Sequence, residues 1–517
     1  MKSLTQSKRF WVAISMAIFI ICNAPIWWNT TGAYQTNLPH EKIENAADQY
    51  LETGMDISTC SLSLKIRVLL VGFSEETTIY GQNILTISPE KQSAVSNVIN
   101  NNVAIQQVDD ELNSLVGSNA RGLYHLIVNN GPVSRLHIGK YRHLWVNLPQ
   151  DRVQEAVGVV QFAYQTLSLN SIMQQPQVKT ALDYRLTFSL LNQDPTTNLI
   201  QWDFPSLEKR FLNPILNKLK PLAEFKVDSQ VLHYGNLPAK PVYNTNSNRY
   251  EINAEDMQYL LNANDFQFDS PAYNGTSLQF LLLLPSRSIS PLHILDYKQQ
   301  GPVQQNAFIV PRWGAVYVYN TVKTLQIAQG QEGKDAATHS SMTKSEDLNI
   351  MQVFIEQFRV LIGLPSSTDN EDVTVVPCTL DGVAEWEVDA LIRIRTINHL
   401  TSALHSLRTL SKLVHQMPNV MVMEDVAELC DKSLANIEKS NVYCERNDYD
   451  GVLVYAKQAV SDSEHAFFHP SMLSLLYFPD SQKLAVYLPL VLPVTFTVLM
   501  AIVREVKLLR MKKKKNQ

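Results

Sequence analysis

Between residues 65 and 320, apolar positions come in short blocks separated by stretches in which they recur every third or fourth residue. The blocks KIRVLLVGF (Lys65 to Phe73), YHLIVNN (Tyr124 to Asn130), HLWVNLP (His143 to Pro149), RLTFSLLN (Arg185 to Asn192) and FKVDSQVLHYG (Phe225 to Gly235) read as strands, the fourth with Leu186, Phe188 and Leu190 on one face. LQFLLLLP, Leu278 to Pro285, is apolar on both faces, as a central strand covered on each side requires. Val153, Val157, Val160, Tyr164 and Leu167 form one helical stripe, and Leu207, Phe211, Ile215 and Leu219 form another within Ser206 to Lys220. Strands alternating with helices predict an α/β core.

The pattern changes after a polar stretch, GQEGKDAATHSSMTKSED (Gly330 to Asp347), which reads as a loop. Beyond it the spacing predicts helices over Leu348 to Leu364, Val383 to Met417, Asp425 to Ser440 and Tyr449 to His469. In the long one, Ile397, Leu400, Leu404, Leu407, Leu410 and Val414 make a stripe of the kind that packs against neighbouring helices.

Two windows lack charge altogether, Phe10 to Trp28 and the 20 residues from Leu484 to Val503, and both match the length of a membrane-spanning helix. The first ends in Ile26, Trp27 and Trp28 rather than the small residues of a signal-peptide cleavage site, so it reads as a retained anchor. Lys2, Lys8 and Arg9 precede the first window, and Arg504, Lys507, Arg510 and Lys512 to Lys515 follow the second, which puts both ends in the cytosol. Pro489 and Pro493 inside the second window free the carbonyls of Ala485 and Pro489, so this face is expected to meet a partner within the membrane.

The organisation expected from these readings is a cytosolic tail (1–9), a first span (10–28), a lumenal α/β domain (29–329), a loop (330–347), a lumenal helical region (348–483), a second span (484–503) and a basic cytosolic tail (504–517). The expected fold class is therefore an α/β lumenal domain followed by a helical region, anchored by a transmembrane helix near each terminus.

Charge sharpens this picture. The chain as a whole carries −5, but its positive tails leave the stretch between them at −14, which disfavours nucleic acid as a partner. The basic end suits an anionic membrane surface, and its Lys514 and Lys515 stand where a dilysine signal would return a protein to the endoplasmic reticulum.

Cysteines are sparse at five, with Cys22 in the first window. Cys60, Cys378, Cys430 and Cys444 allow three pairings, of which Cys430 with Cys444 closes the shortest loop. Cys430 also shares an apolar helix face with Val426, Leu429, Ser433 and Ile437, which suits a buried free thiol equally. Of two glycosylation sequons, Asn274 in DSPAYNGTSLQF is the expected acceptor, while Asn29 abuts the first window too closely.

No strong catalytic or metal motif is present: there is no HExxH, Walker loop, GxSxG or paired CxxC. His465 and His469 in HAFFH lack a third ligand, and Cys378 in VVPCTLDG lacks a local base. No catalytic residue, cofactor or metal is expected, and any chemistry is assigned to a partner.

Three stretches carry a family resemblance. HPSMLSLLYFPDSQKLAVYLPLVLP (His469 to Pro493), WDFPSLEKRFLNPILNKLKPLAEFKVDSQVLHYG (Trp202 to Gly235) and PRWGAVYVYN (Pro311 to Asn320) resemble the PIG-S family, the S subunits of glycosylphosphatidylinositol (GPI) transamidase. The resemblance implies a non-catalytic subunit in the endoplasmic reticulum membrane. It would assemble with a cysteine-protease-like catalytic subunit and further membrane subunits, which attach GPI anchors to precursor proteins. The competing expectations are a lumenal hydrolase acting alone and a sorting receptor for anchored cargo.

Overall fold

A computed structural model describes residues 35–515 apart from 50–61, 74–87, 169–177, 262–275, 321–339, 365–372, 473–479 and shorter gaps, together with parts of a helical stretch at 11–26. After helix α1 (His40–Ala47), the chain enters the first of two five-stranded sheets.

The first sheet has the order β1 (Lys65–Val71), β2 (Leu123–Asn130), β4 (His143–Leu148), β3 (Leu136–Ile138) and β16 (Val373–Val375). β1, β2 and β4 are parallel, and β3 folds back antiparallel on β4. The crossover from β1 to β2 runs through α2 (Pro89–Asn100) and α3 (Ile105–Val116), which bury Val95, Val108 and Leu112 against Leu69, Ile127 and Trp145. On the opposite face, α4 (Ala156–Ser168) packs Val160, Ala163 and Leu167 with Val68, Leu126 and Val146. The alternation of strand side chains thus delivers one apolar row to each helical layer.

The second sheet has the order β13 (Ala307–Val310), β14 (Gly314–Val318), β10 (Thr276–Leu284), β5 (Asp183–Asn192) and β7 (Glu224–His233), all parallel except β13. β10 is the doubly covered strand that its composition predicts. Its Leu278, Phe280, Leu282 and Leu284 enter a core with Phe188, helix α5 (204–219) and Phe354 of helix α7 (Lys344–Ile362), whereas Leu281 and Leu283 enter another. Phe188 and Phe280 stack at 4.8 Å, with Phe354 edge-on to both. The middle of α5, Glu208–Leu212, is a π turn.

The second core is closed by a third sheet in the order β12 (Gly301–Pro302), β11 (Leu292–Asp296), β9 (Arg249–Asn253) and β8 (Val242–Asn244), and by helix α6 (Ala254–Leu261). β6 (Ile200–Gln201) and β15 (Ser340–Ser341) form a small separate pair. The remaining helices are α8 (Glu385–Gln416), α9 (Glu424–Glu445), α10 (Tyr449–Phe467) and α11 (Asp480–Lys515).

Two compact units result, and they do not follow chain order. One comprises residues 57–398 and 440–454 and holds the three larger sheets. The other comprises residues 1–56, 399–439 and 455–517 and is helical. In the helical unit, Leu400, Leu404, Leu407, Leu410 and Val414 are buried along α8, as their stripe predicts. α9 and α10 are joined there by Ser433 Oγ donating to the Ala459 carbonyl at 2.8 Å and Asn436 Nδ2 donating to Asp462 at 2.9 Å.

The structure corrects the sequence reading in one major respect. Among the described residues, no helix is long and apolar enough to cross a membrane. This overturns the two transmembrane helices, and with them the two-span membrane location from which the cytosolic ends and the lumenal body were read. The window from Leu484 to Val503 is not a separate element. It is the middle of α11, whose 36 residues begin with Asp480 and Lys483 and continue through Arg504, Glu505, Lys507 and Arg510 to the terminal lysines. Pro489 and Pro493 lie inside that helix, so the membrane contact read from them has no span to rest on. Within the stretch read as a loop, Ser340–Ser341 form β15 and α7 begins at Lys344.

Candidate functional site

In parallel α/β sheets, functional groups gather at the carboxyl ends of the strands. In the first sheet these ends are built from amides. Asn129, fully buried, donates from Nδ2 to Asn100 Oδ1 at 2.9 Å and to Asn147 Oδ1 at 3.0 Å, and accepts from Ser96 Oγ at 3.0 Å. Asn130 Nδ2 donates to the Gly72 carbonyl at 3.0 Å, and Ser134 Oγ accepts from the Asn147 amide at 2.9 Å. The cluster ties the ends of β1, β2 and β4 to α2. Asparagine and serine side chains do not titrate near neutral pH, so this arrangement binds and positions but transfers no proton.

The charged groups lie elsewhere, around the first half of α8. Arg142, on the turn between β3 and β4, donates from Nε to Asp389 Oδ2 at 2.7 Å and from Nη2 to Asp389 Oδ1 at 2.8 Å, and also pairs with Glu385. Asp389 accepts in addition from Tyr124 Oη at 3.0 Å and the Gly122 amide at 3.2 Å. Arg359 of α7 makes a second two-pronged pair with Glu387, at 2.9 and 2.7 Å, and the Ala384 amide donates to Glu387 at 2.8 Å. Further along α8, Arg393 donates to the Leu167 carbonyl at 2.7 Å and Arg395 to Tyr184 Oη at 3.0 Å. One helix is thereby sewn to the first sheet, to α4, to the second sheet and to α7.

These are buried, charge-assisted bonds. Burial alone lowers the pKa of Arg142, but Asp389 and Glu385 more than offset it, and the guanidinium is held above its ordinary value. Burial and the Asp389 charge push the Tyr124 hydroxyl well up. The acidic residues of the first turn also meet the positive end of the α8 dipole. Chemically the cluster is a frame, with its charges consumed by one another.

A third polar group lies on the α3 side of the first sheet. His125 and His143 occupy paired positions on β2 and β4, their rings 5.8 Å apart, and burial pushes both down to about 4. Arg67 adds to the effect at His125, and His125 adds to it at His143. Asp109 of α3 is pushed up to about 6 by burial, although it accepts the Lys140 amide at 2.8 Å.

The residues singled out from the sequence are not brought together. Cys378 is half-buried, 3.9 Å from the Val376 carbonyl. Cys430 is a free, buried thiol, pushed up to about 12 by burial, while Cys444 is disulfide-bonded, so the expected Cys430–Cys444 bridge is not formed. Of the two open readings of Cys430, the buried thiol on an apolar face is the one realised. α10 ends at Phe467, so His465 and His469 do not share a helix face, and His469 instead meets Ser471 at 2.8 Å. No group of three or more potential metal ligands occurs among the described residues. Asn29 and Asn274 lie outside the described residues, and Lys514 and Lys515 are the last residues of α11.

Periodicity passed over Glu385, Glu387, Asp389, Arg393 and Arg395. The signal for them was present: in EWEVDALIRIR, charges fall on every face of a helix whose other residues are apolar. A helix patterned in that way has no solvent side, so its charges must find partners inside.

These features define a class: an α/β protein whose two five-stranded sheets are clasped by one buried, charged helix. A family model described as phosphatidylinositol-glycan biosynthesis class S protein (PIG-S) matches residues 14–512, and the chain belongs to that family. It is 28% identical to the Homo sapiens protein named GPI-anchor transamidase component PIGS, over 94% of this chain and 93% of that one. It is 33% identical to the Mus musculus protein of the same name, over 63% of this chain and 58% of that one. The Schizosaccharomyces pombe GPI transamidase component PIG-S homolog is 23% identical over 97% of this chain and 84% of its own length.

Proposed function

We propose that this chain is a non-catalytic component of GPI transamidase that supports assembly of the complex and attachment of GPI anchors to precursor proteins in the endoplasmic reticulum. The observation that carries the proposal is the extent of the family match, residues 14–512, together with relatives that are named as components of that enzyme. The geometry supports it. The charged side chains around α8 are engaged in holding sheets and helices together, and the strand ends of the first sheet present neutral amides. The acyl-transfer step then belongs to a separate cysteine-protease-like subunit. An N-linked glycan on Asn274 accompanies the proposal, and loss of a glycosidase-sensitive mobility shift in Asn274→Gln tests it.

The main test is affinity purification of the tagged full chain. Recovery with other transamidase components is expected, and recovery without any of them overturns the assignment. Transamidation by a complex carrying Cys378→Ser is expected to match wild type. Its loss in a normally assembled complex would return a catalytic thiol to this chain.

A further inference from the structure

β7 is the outer strand of the second sheet, and its hydrogen bonds show which of its residues face outward. The Glu224 amide donates to the Leu182 carbonyl at 2.9 Å and the Tyr234 amide to the Asn192 carbonyl at 2.8 Å. In a parallel ladder, residues bonded to one neighbour alternate with residues that point the other way. Phe225, Val227, Ser229, Val231 and His233 therefore turn their N–H and C=O groups away from β5, and no strand pairs with that side among the described residues.

Such edges are usually blunted by shortness, a bulge, proline or charge. β7 runs ten residues in unbroken register without proline or bulge. Its first half is defended by Glu224, Lys226 and Asp228, the last paired with Arg185 at 3.1 Å. Ser229 to His233 carry no carboxylate, lysine or arginine. Apolar side chains lie open here: Val231 within this half is 49% exposed, and Tyr234, just beyond the end of the strand, is 64% exposed. The apolar exposure continues on β8, the edge strand of the third sheet, through Val242 at 71% and Tyr243 at 47%. Leu232, Leu237 and Tyr250 pack on one core and tie β7 to the β8–β9 hairpin.

We infer that the Ser229–His233 half of β7 accepts an extended segment of another chain of the complex as the next strand of this sheet. The main-chain ladder would supply the affinity, and the exposed Val231 side chain would meet an apolar side chain of the added strand. The absence of charge on this half selects an uncharged segment, and the charged half sets where the pairing stops. The inference rests on the reading of the chain as a component of an assembly, which provides the second polypeptide.

The test uses the full chain, alone and in its complex. Ser229→Pro and Val231→Pro each delete an outward donor and leave the β5 ladder intact, a position that tolerates proline. Each is expected to lower recovery of partner chains about tenfold, while Ser229→Ala retains it. Hydrogen exchange covers the case in which a proline variant misfolds. In the wild-type chain alone the amides of Ser229, Val231 and His233 should exchange freely, and in the complex they should be protected. Full recovery with the proline variants, or unchanged exchange on assembly, overturns the inference while leaving the component reading intact if the wild-type chain still co-purifies. Protection that grows with concentration of the chain alone would identify a second copy as the occupant and likewise overturn it.

Discussion

Arg142 and Asp389, 247 residues apart in sequence, are joined by two hydrogen bonds in a site where the Asp389 side chain is fully buried and that of Arg142 is 9% exposed. Removing one member of such a pair leaves an uncompensated buried charge, at a cost of about 3–5 kcal/mol. Asp389→Ala should therefore lower the denaturant midpoint strongly. The double variant Arg142→Met, Asp389→Leu should recover much of the loss, because a well-packed apolar pair often matches a buried ion pair. A double variant no more stable than Asp389→Ala would refute this account.

The paired histidines predict the direction of pH dependence. His125 and His143 have folded-state values near 4, below an unfolded value of about 6.5. The unfolded chain binds their protons first, so the stability they contribute is fully present above about pH 6.5 and is lost as pH falls toward 4. The slope is at most about 1.4 kcal/mol per pH unit for each ring. Asp109, raised to about 6, acts oppositely over much of the same window, since its protonation favours the folded state. The His125→Gln, His143→Gln double variant should flatten or reverse the acid loss. Urea midpoints measured from pH 7 to 4 check this.

The free, buried Cys430 thiol, pushed up to about 12, should resist alkylation at pH 8 until denaturant is added. Cys444 should become reactive only after reduction as well. Peptide mass spectrometry after iodoacetamide treatment distinguishes the two, and joint protection of Cys430 and Cys444 by one bridge would contradict the structure.

Gly314 pairs with Gln279 across β14 and β10 at a φ of 147°, and a β-carbon there would collide with the Gln279 carbonyl oxygen and amide. Gly314→Ala combines backbone strain with this clash and should cost at least about 1–3 kcal/mol. A melting temperature equal to wild type would show that the two strands separate without penalty.

Much of the fold was legible because periodicity is local. LQFLLLLP read as a doubly covered strand, and β10 divides its side chains between two cores. The α8 stripe from Leu400 to Val414 read as core and is buried. The site was less legible. Nucleophiles, paired cysteines and metal ligands have recognisable spacings, whereas the charges of EWEVDALIRIR match none of them, because their chemistry is cohesion rather than turnover. Chain entropy alone favours the short loop between Cys430 and Cys444, whereas the thiol of Cys430 is committed to an apolar helix face.

By itself, the amino-acid sequence determined the central strands and the long helices, which of their faces are apolar and to which family the chain belongs. All of these depend on residues within a few turns or on the whole string compared with its relatives. Only the tertiary structure decided that the apolar window from Leu484 to Val503 lies within a longer charged helix, that Asp389 answers Arg142, and that β7 is the outer strand of its sheet among the described residues. The last two are relations between segments hundreds or tens of residues apart. Long-range pairing of this kind depends on how the layers stack, and no local pattern of apolar and polar residues encodes it.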